Sequence, residues 1–127
     1  MLDDELVQLR TARRILERLG YTVTTTQSVL EALKLCEVTD GQPPFDLVIV
    51  DMVLPGQLDG VTTVEQIRQL CPNQRALMAT GYAPEQMHVS ARQGTLPWLQ
   101  KPYTLVELAA AVRSALHTDL VEPRRTG

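Results

Sequence analysis

Apolar residues recur every three or four positions over residues 4–19, which is the spacing of one apolar stripe on an α-helix. Gly20 follows that stripe, at a position where a left-handed helix cap is favoured. Residues 21–25 form a short segment rich in β-branched side chains, which predicts a strand. A second stripe over residues 29–36, with Ser28 ahead of it as a capping residue, predicts the next helix.

The most apolar segment is residues 45–50, which follow a loop of turn residues at 40–44. A strand without a polar face is usually covered on both sides, as in a parallel sheet packed between helices. We therefore expect residues 45–50 to lie at the centre of a sheet. A third helical stripe over residues 61–70 ends before Pro72, because proline disfavours helix continuation.

The rest of the chain repeats this alternation. Residues 76–80 and 97–100 are short apolar runs that predict two more strands. A weaker stripe over residues 84–93 predicts a helix between them, and residues 105–116 form the last predicted helix behind a Thr104 cap. Strands and helices that alternate at these lengths predict an α/β fold with right-handed crossovers.

Length and composition are consistent with one folded unit. The chain has 127 residues, so we expect one domain over residues 1–117 and a polar tail over 118–127. Hydrophobic residues make up 44% and charged residues 21%, as in ordinary soluble proteins. No apolar run approaches the roughly 18 residues of a membrane span, and the start lacks the pattern of a secretory signal. A cytoplasmic location is therefore expected.

Charge and cysteine usage argue against two classes of function. The formal net charge is −3, and no run of basic residues is longer than the pairs Arg13-Arg14 and Arg124-Arg125, so direct nucleic-acid binding is not expected. Cys36 and Cys71 lie on predicted helices without the spacing of metal ligands. We expect both to be buried or half-buried thiols, in neither a disulfide nor a zinc site.

Three predicted strands end in polar residues, namely Asp51, Thr80 and Lys101. Ligands of open parallel sheets bind at the carboxyl ends of the strands, so these side chains are expected at one edge. Each alone could be a cap, a turn residue or a solvated charge. Together, a carboxylate that attacks and a hydroxyl and an ammonium that hold oxygens suit a phosphoryl group.

Asp3 and Asp4 supply the other component that phosphoryl transfer needs, a site for a hard cation. Mg²⁺ prefers carboxylate, carbonyl and water oxygens, and a strand-to-helix turn would place both residues at the edge that holds Asp51. Alternatively, the two residues and Glu5 stabilise the start of the first helix through its dipole, by about 0.3–1 kcal/mol each. The two interpretations are compatible.

The polar residues at this edge belong to five ordered motifs: Asp3-Asp4-Glu5, Asp51-Met52-Val53-Leu54-Pro55-Gly56, Asp59-Gly60, Thr80-Gly81-Tyr82 and Lys101-Pro102-Tyr103. Their order and spacing resemble the receiver domain of two-component response regulators over nearly the whole chain. The likeness is greatest to receivers of hybrid sensor histidine kinases and to stand-alone single-domain receivers.

The resemblance implies a fold and a function. The fold is a flavodoxin-like, doubly wound parallel sheet of five strands in the order 2-1-3-4-5 with five helices. The function is that of a phosphoacceptor in a phosphorelay, which takes a phosphoryl group from a histidine kinase or phosphotransfer protein. The aspartyl phosphate then switches contacts with a downstream protein target. Such a phosphoprotein is not a turnover enzyme on external substrates.

The resemblance also assigns the metal site. Asp51 stands at the phosphoacceptor position. Asp4, Asp51 and the main-chain carbonyl of Val53 would coordinate Mg²⁺ directly, and Asp3 would act through a bound water.

Three further residues are assigned to phosphoryl binding and switching. Lys101 would pair with the phosphoryl oxygens, or with Asp51 before phosphorylation. Thr80 would move toward the phosphoryl group, and the aromatic ring of Trp98 would follow it inward. Trp98 stands where tyrosine or phenylalanine is more usual, and the loop "PGQLDG" has one residue more than the commoner "PGMDG". We expect that extra residue to be absorbed in the turn.

The largest departure lies at the first strand, of which only Met1 and Leu2 precede the acidic pair. A strand usually has about 5–6 residues, so this one is truncated and its neighbours lack partners. Three explanations stay open: a trimmed or misassigned start, an edge supplied by another chain, or rearranged pairing. The first is favoured, and unpaired strand edges also favour a homodimer.

Two other functions remain as alternatives. A pseudo-receiver would dock partners without phosphorylation if the short N-terminus spoils the Mg²⁺ site. A small hydrolase or flavin-binding protein is disfavoured, because no second carboxylate lies two residues after Asp51 and no glycine-rich phosphate loop is present.

Overall fold

The computed structural model describes residues 1–37, 44–57, 59–81 and 96–117. Within these ranges the chain forms four helices and three regular strands. The helices are α1 (Leu6–Arg18), α2 (Val29–Leu35), α3 (Gly60–Leu70) and α4 (Leu105–Leu116), and the strands are β1 (Val48–Asp51), β2 (Ala76–Thr80) and β3 (Trp98–Gln100). The predicted helix over residues 84–93 and the predicted tail over 118–127 lie outside the described residues.

The three strands form one parallel sheet in the order β1-β2-β3. β1 pairs with β2 from Val48 opposite Ala76 to Asp51 opposite Ala79. β2 pairs with β3 from Met78 opposite Trp98 onward. Because all three run in one direction, their carboxyl ends meet at one edge, as the sequence predicted.

The truncated first strand is held in the middle of the sheet by its last residues. Leu2 forms isolated parallel bridges to Thr26 on one side and to Val50 of β1 on the other. The Leu2 N–H donates to the Ile49 carbonyl at 2.8 Å, and the Leu2 carbonyl accepts from the Asp51 N–H at 2.9 Å. The order along the sheet is therefore residue 26, residue 2, β1, β2, β3, which confirms the predicted order 2-1-3-4-5.

Two strand predictions were wrong in extent, and the predicted strand 97–100 begins one residue later, at Trp98. Residues 21–25 form no regular strand, and only Thr26 makes a bridge. The physical reason is the short neighbour, because pairing for residues 21–23 would require chain ahead of Met1. The predicted strand 45–50 begins instead at Val48, where the β2 partner begins.

The sheet separates two hydrophobic clusters, as expected for a doubly wound fold. Alternate residues of the buried strands point to opposite faces. Val50 and Met78 face the side covered by α2 and α3, while Ile49 and Leu77 face the side covered by α1 and α4. Strands β1 and β2 are buried along their whole length, which confirms the prediction that residues 45–50 contribute the sheet centre.

The helix ends follow the predicted caps. Gly20 has φ of 100° and ends α1 with hydrogen bonds from the N–H of Gly20 and Tyr21 back into the last turn. The Ser28 side chain accepts from the Glu31 N–H, and Thr104 forms a capping box with Glu107. α1 begins two residues later than predicted, because the Asp3 N–H is bound to the Thr26 carbonyl and continues the sheet.

Two sequence expectations concern burial and membranes. Cys36 and Cys71 are both free and buried, as predicted. Among the described residues, no helix combines the length and apolar character that crossing a membrane requires.

Candidate functional site

The polar ends of the strands lie side by side because backbone hydrogen bonds hold the strand ends together. The N–H of Met52, which follows β1, donates to the Ala79 carbonyl of β2 at 2.8 Å. The N–H of Lys101, which follows β3, donates to the Thr80 carbonyl at 2.6 Å. Asp51 and Lys101 are thereby brought to the same edge.

Lys101 connects two carboxylates at this edge. Its Nζ lies 2.9 Å from Asp3 Oδ2 and 3.3 Å from Asp51 Oδ2. Asp3 is 1% exposed and Asp51 7%, so both charges depend on this ammonium for compensation. Burial alone would lower the pKa of Lys101, but the hydrogen bonds and charges of Asp3 and Asp51 outweigh it and raise the pKa above its ordinary value. Lys101 is therefore a fixed cation.

Asp3, Asp4 and Asp51 form a cluster of acceptors. One carboxylate oxygen from each lies within 4.8 Å of the others. The donor set fits Mg²⁺, which takes carboxylate oxygens together with carbonyl and water oxygens. Both oxygens of Asp3 make close contacts, since Oδ1 accepts from the Glu5 N–H at 3.0 Å and Oδ2 lies 2.9 Å from Lys101 Nζ, whereas the two oxygens of Asp51 have longer contacts of 3.4 Å and 3.3 Å. The coordination capacity of the cluster therefore lies mainly on Asp4 and Asp51.

The environment makes Asp51 hard to ionise without a cation. Burial and the neighbouring charge of Asp3 raise the pKa of Asp51 from 3.8 to about 6, against the opposing effect of Lys101. Binding of a divalent cation would favour the ionised carboxylate. Ionisation of the Asp51 carboxylate and binding of a divalent cation therefore favour each other, which would suit a nucleophile that acts only when the metal is bound.

Replacing Asp51 with asparagine is expected to stabilise the metal-free protein at pH 7, by about 1–2 kcal/mol, because a buried carboxylate next to Asp3 is removed. A carboxyl group whose pKa is raised on folding makes the folded state more stable as the pH falls from about 6 toward 4. The difference between variant and wild type should therefore shrink over that window in urea unfolding without Mg²⁺. Asp46→Asn, at an exposed position, is the control; equal responses of the two variants would contradict the expectation.

The other predicted site residues, Val53, Thr80 and Trp98, differ in how far they are exposed to solvent. The Val53 N–H donates to Asp51 Oδ1 at 3.4 Å, and its side chain is 42% exposed. Thr80 is fully buried at the end of β2. Trp98 pairs with Met78 at the start of β3 and is 40% exposed, so its ring lies on the surface two residues before the strand end.

Gly60 brings α3 against the strand that carries Asp51. Its N–H donates to the Met52 carbonyl at 2.8 Å. A Cβ at this position would lie 2.7 Å from Met52 Cα and closer still to the Asp51 carbonyl oxygen. Only glycine fits this close approach of backbones. The sequence contained Gly60 within a motif, but the pattern alone did not indicate its packing role.

Tyr103 is a second residue that the sequence placed within a motif without indicating a role for it. Its hydroxyl is buried, and none of the described residues gives it a hydrogen-bond partner. Burial raises the pKa of Tyr103, and the charge of Lys101 lowers it while those of Asp3 and Asp51 raise it. Tyr103 therefore adds a neutral polar group next to the charged cluster.

Comparison with known sequences places this geometry in a family. The family model for the response regulator receiver domain matches residues 1–113. The sensor kinase CckA of Brucella abortus (strain 2308) is 32% identical over 118 residues, which are 90% of this chain and 12% of that protein. The transcriptional regulatory protein ZraR of Escherichia coli (strain K12) is 29% identical over 124 residues, 96% of this chain and 27% of that protein. The chain thus spans less than a third of either relative.

Solved structures of similar fold support the same family assignment. A CheY-like receiver domain protein from Methanospirillum hungatei JF-1 is 27% identical with a TM-score of 0.76, over 91% of this chain and 89% of that one. A response regulator from Burkholderia pseudomallei, which carries a phosphorylated aspartic acid, a calcium ion and citrate, is 33% identical with a TM-score of 0.72, over 90% of this chain and 65% of that one. The family match, the fold and the acidic edge agree, and the chain belongs to the response regulator receiver domain family.

Proposed function

We propose that this domain accepts a phosphoryl group on Asp51 from the phosphohistidine of a kinase or phosphotransfer protein, with Mg²⁺ bound beside it. The observation that carries the proposal is the position of Lys101 Nζ, between Asp3 and Asp51 at an edge that also holds Asp4. A lysine in that position compensates two carboxylates before transfer. The same ammonium can meet phosphoryl oxygens afterwards.

The transfer is a displacement at phosphorus. An oxygen of the Asp51 carboxylate forms the new P–O bond while the P–N bond to the donor imidazole breaks, and the electron pair of that bond stays with the imidazole nitrogen. Lys101 offsets negative charge on the phosphoryl oxygens. The Val53 N–H, which already donates to Asp51 Oδ1, fixes one carboxylate oxygen and leaves Oδ2 toward Lys101.

Asp4, Asp51 and the Val53 carbonyl are the residues that would hold Mg²⁺ directly. When bound, the ion supplies positive charge against the phosphoryl oxygens. Asp3 would act indirectly, through water, in line with its shorter contacts to the Glu5 N–H and to Lys101.

Thr80 and Trp98 are the proposed switch residues. Thr80 lies buried at the end of β2, next to Lys101 in the backbone hydrogen-bond pattern, and its hydroxyl can meet a phosphoryl oxygen. Trp98 is partly exposed on β3, and Leu105 and Val106 at the start of α4 are 54% and 71% exposed. A change in the burial of Trp98 would alter this apolar surface, which we propose as the contact face for a downstream protein.

The remaining parts of the proposal follow from the family. Receiver domains are regulatory phosphoacceptor modules, so we propose that this one is a cytoplasmic signalling component without turnover of external substrates. Direct nucleic-acid contact is not proposed, in line with the net charge of −3. A homodimer through an unpaired strand edge stays a prediction that the oligomeric state in solution would test.

The docking module that works without phosphorylation is the second candidate. It required the short N-terminus to spoil the Mg²⁺ site. The observed backbone bonds of Leu2 to Ile49 and Asp51, and of the Asp3 N–H to the Thr26 carbonyl at 3.2 Å, favour the phosphoacceptor instead, since they keep the acidic pair at the edge.

Beryllofluoride, a mimic of the phosphoryl group, tests the proposed site. With Mg²⁺ and beryllofluoride together, we expect a higher melting temperature and a change in the fluorescence of Trp98, the sole tryptophan. Asp51→Asn should abolish both responses. Wild-type protein that responds to neither the ion nor the mimic would favour the docking module.

A further inference from the structure

The loop between β1 and α3 turns back on itself and projects a polar side chain toward α2. Gly56 adopts φ of 74°, and the Gln57 N–H donates to the Leu54 carbonyl at 3.0 Å, which closes a tight turn. This turn places the Gln57 side chain against the segment that joins residue 26 to α2. The motif "PGQLDG" contains this glutamine and is the loop in which the sequence departs from the commoner length.

Gln57 makes two hydrogen bonds to that segment, one as acceptor and one as donor. Its Oε1 accepts from the Val29 N–H at 2.7 Å, and its Nε2 donates to the Gln27 carbonyl at 3.1 Å. The Val29 N–H is one of the first N–H groups of α2, which have no partner within their own helix. Gln57 therefore caps α2 from a separate loop.

The same segment reaches the acidic cluster through a second glutamine. The Gln27 Nε2 donates to the Asp4 main-chain carbonyl at 3.0 Å. A continuous path of hydrogen bonds thus runs from the loop after Asp51, through Gln57 and Gln27, to Asp4. Asp4 lies at one end of this path. At the other end, the loop that carries Gln57 also contains Val53, the other proposed ligand outside the regular strands.

We propose that Gln57 is a positioning residue for the metal site: it clamps the loop of residues 53–57 to the turn of residues 26–29 and so fixes the spacing between Asp4 and Val53. The inference rests on the proposed Mg²⁺-dependent phosphoacceptor function. Mg²⁺ demands nearly ideal octahedral geometry, so its affinity is sensitive to the spacing of ligands that come from two separate loops. Residues outside the coordination sphere commonly tune affinity in this way.

The test compares Mg²⁺ affinity, by calorimetry, with the free energy of unfolding in Mg²⁺-free urea. Gln57→Met keeps the size of the side chain but loses both hydrogen bonds. We expect Mg²⁺ to bind about three- to tenfold more weakly, a change as large as the net contribution of one typical hydrogen bond. Gln27→Met breaks the path at its other link and leaves the backbone bond from Gln57 in place. We expect a similar loss, and the double variant should be no worse than the stronger single one, because the two residues act in series.

The control is Gln69→Met, at an exposed position of α3, which should leave the affinity unchanged. Additive losses in the double variant, or a Gln57→Met protein that is less stable but binds Mg²⁺ as tightly as wild type, would overturn the clamp and leave the phosphoacceptor function standing. Failure of the wild type to bind Mg²⁺, with Asp51→Asn indistinguishable from it, would instead refute the proposed function on which the clamp rests.

Discussion

Replacing Lys101 with methionine is expected to lower the free energy of unfolding of the metal-free protein by about 3 kcal/mol at pH 7. The substitution keeps the length of the side chain but leaves Asp3 and Asp51 buried beside each other without a cation. Removing one partner of a buried ion pair costs more than the pair itself contributes, because the remaining charge is uncompensated. Urea unfolding followed by circular dichroism measures the loss.

Two further measurements identify the cause. Added Mg²⁺ should recover part of the stability of the Lys101→Met protein, since the ion compensates the same carboxylates. The chain's other lysine, Lys34, is exposed on α2, so Lys34→Met should change stability little. Equal losses in the two variants, or a Lys101→Met protein that Mg²⁺ does not stabilise, would contradict the assigned role.

An N-terminal extension of five apolar residues is expected to raise the free energy of unfolding by about 2–3 kcal/mol and Tm by about 5–10 °C. The reason is that burial of the added apolar side chains outweighs the entropy cost of ordering the added backbone. A groove of about 330 Å³ lies at the head of the shortened first strand, lined on one side by Tyr21 and Val23 and on the other by Leu47 and Ile49. A strand there would be buried on both faces, so both faces should be apolar. An extension of five glycine and serine residues is the matched control.

The extension should also change the pH dependence. Burial lowers the pKa of the Met1 amino group from 8.0 to about 6, and this ammonium donates to the Thr24 carbonyl at 2.7 Å. A base whose pKa is lowered on folding makes the folded state more stable as the pH rises from 6 to 8. Joining residues to Met1 converts the amine to an amide and should remove that rise. An apolar extension that is no more stable than the glycine and serine control would refute the account of the groove.

Most of the fold was predictable from sequence because its signals are local. Residues 76–80 form a strand with the predicted bounds, and the caps at Gly20, Ser28 and Thr104 end or begin helices as expected. Each of these rests on a residue whose own backbone or side chain decides the conformation. The failure at residues 21–25 has the opposite origin, since a strand requires a partner and the neighbouring strand is nearly absent.

The candidate site likewise has a part that was predictable from sequence and a part that was not. Asp3, Asp4, Asp51 and Lys101 were predictable, because strand ends of a parallel sheet converge on one edge whatever the loops do. The clamp by Gln57 was not predictable, because it depends on the path of a loop and on a glutamine 30 residues away in sequence. The extra residue in the loop "PGQLDG" was the one signal in the sequence. It indicated an unusual turn but not the segment that Gln57 contacts.

The central claim is that Asp51 is the phosphoacceptor, and intact-mass spectrometry tests it most directly. Incubation with phosphoramidate, whose P–N bond matches that of phosphohistidine, and with Mg²⁺ should add the mass of one phosphoryl group. Hydroxylamine should remove that group, as expected for an acyl phosphate. Asp51→Asn protein should gain nothing. A wild-type protein that stays unmodified, or an Asp51→Asn protein modified to the same extent, would contradict the account.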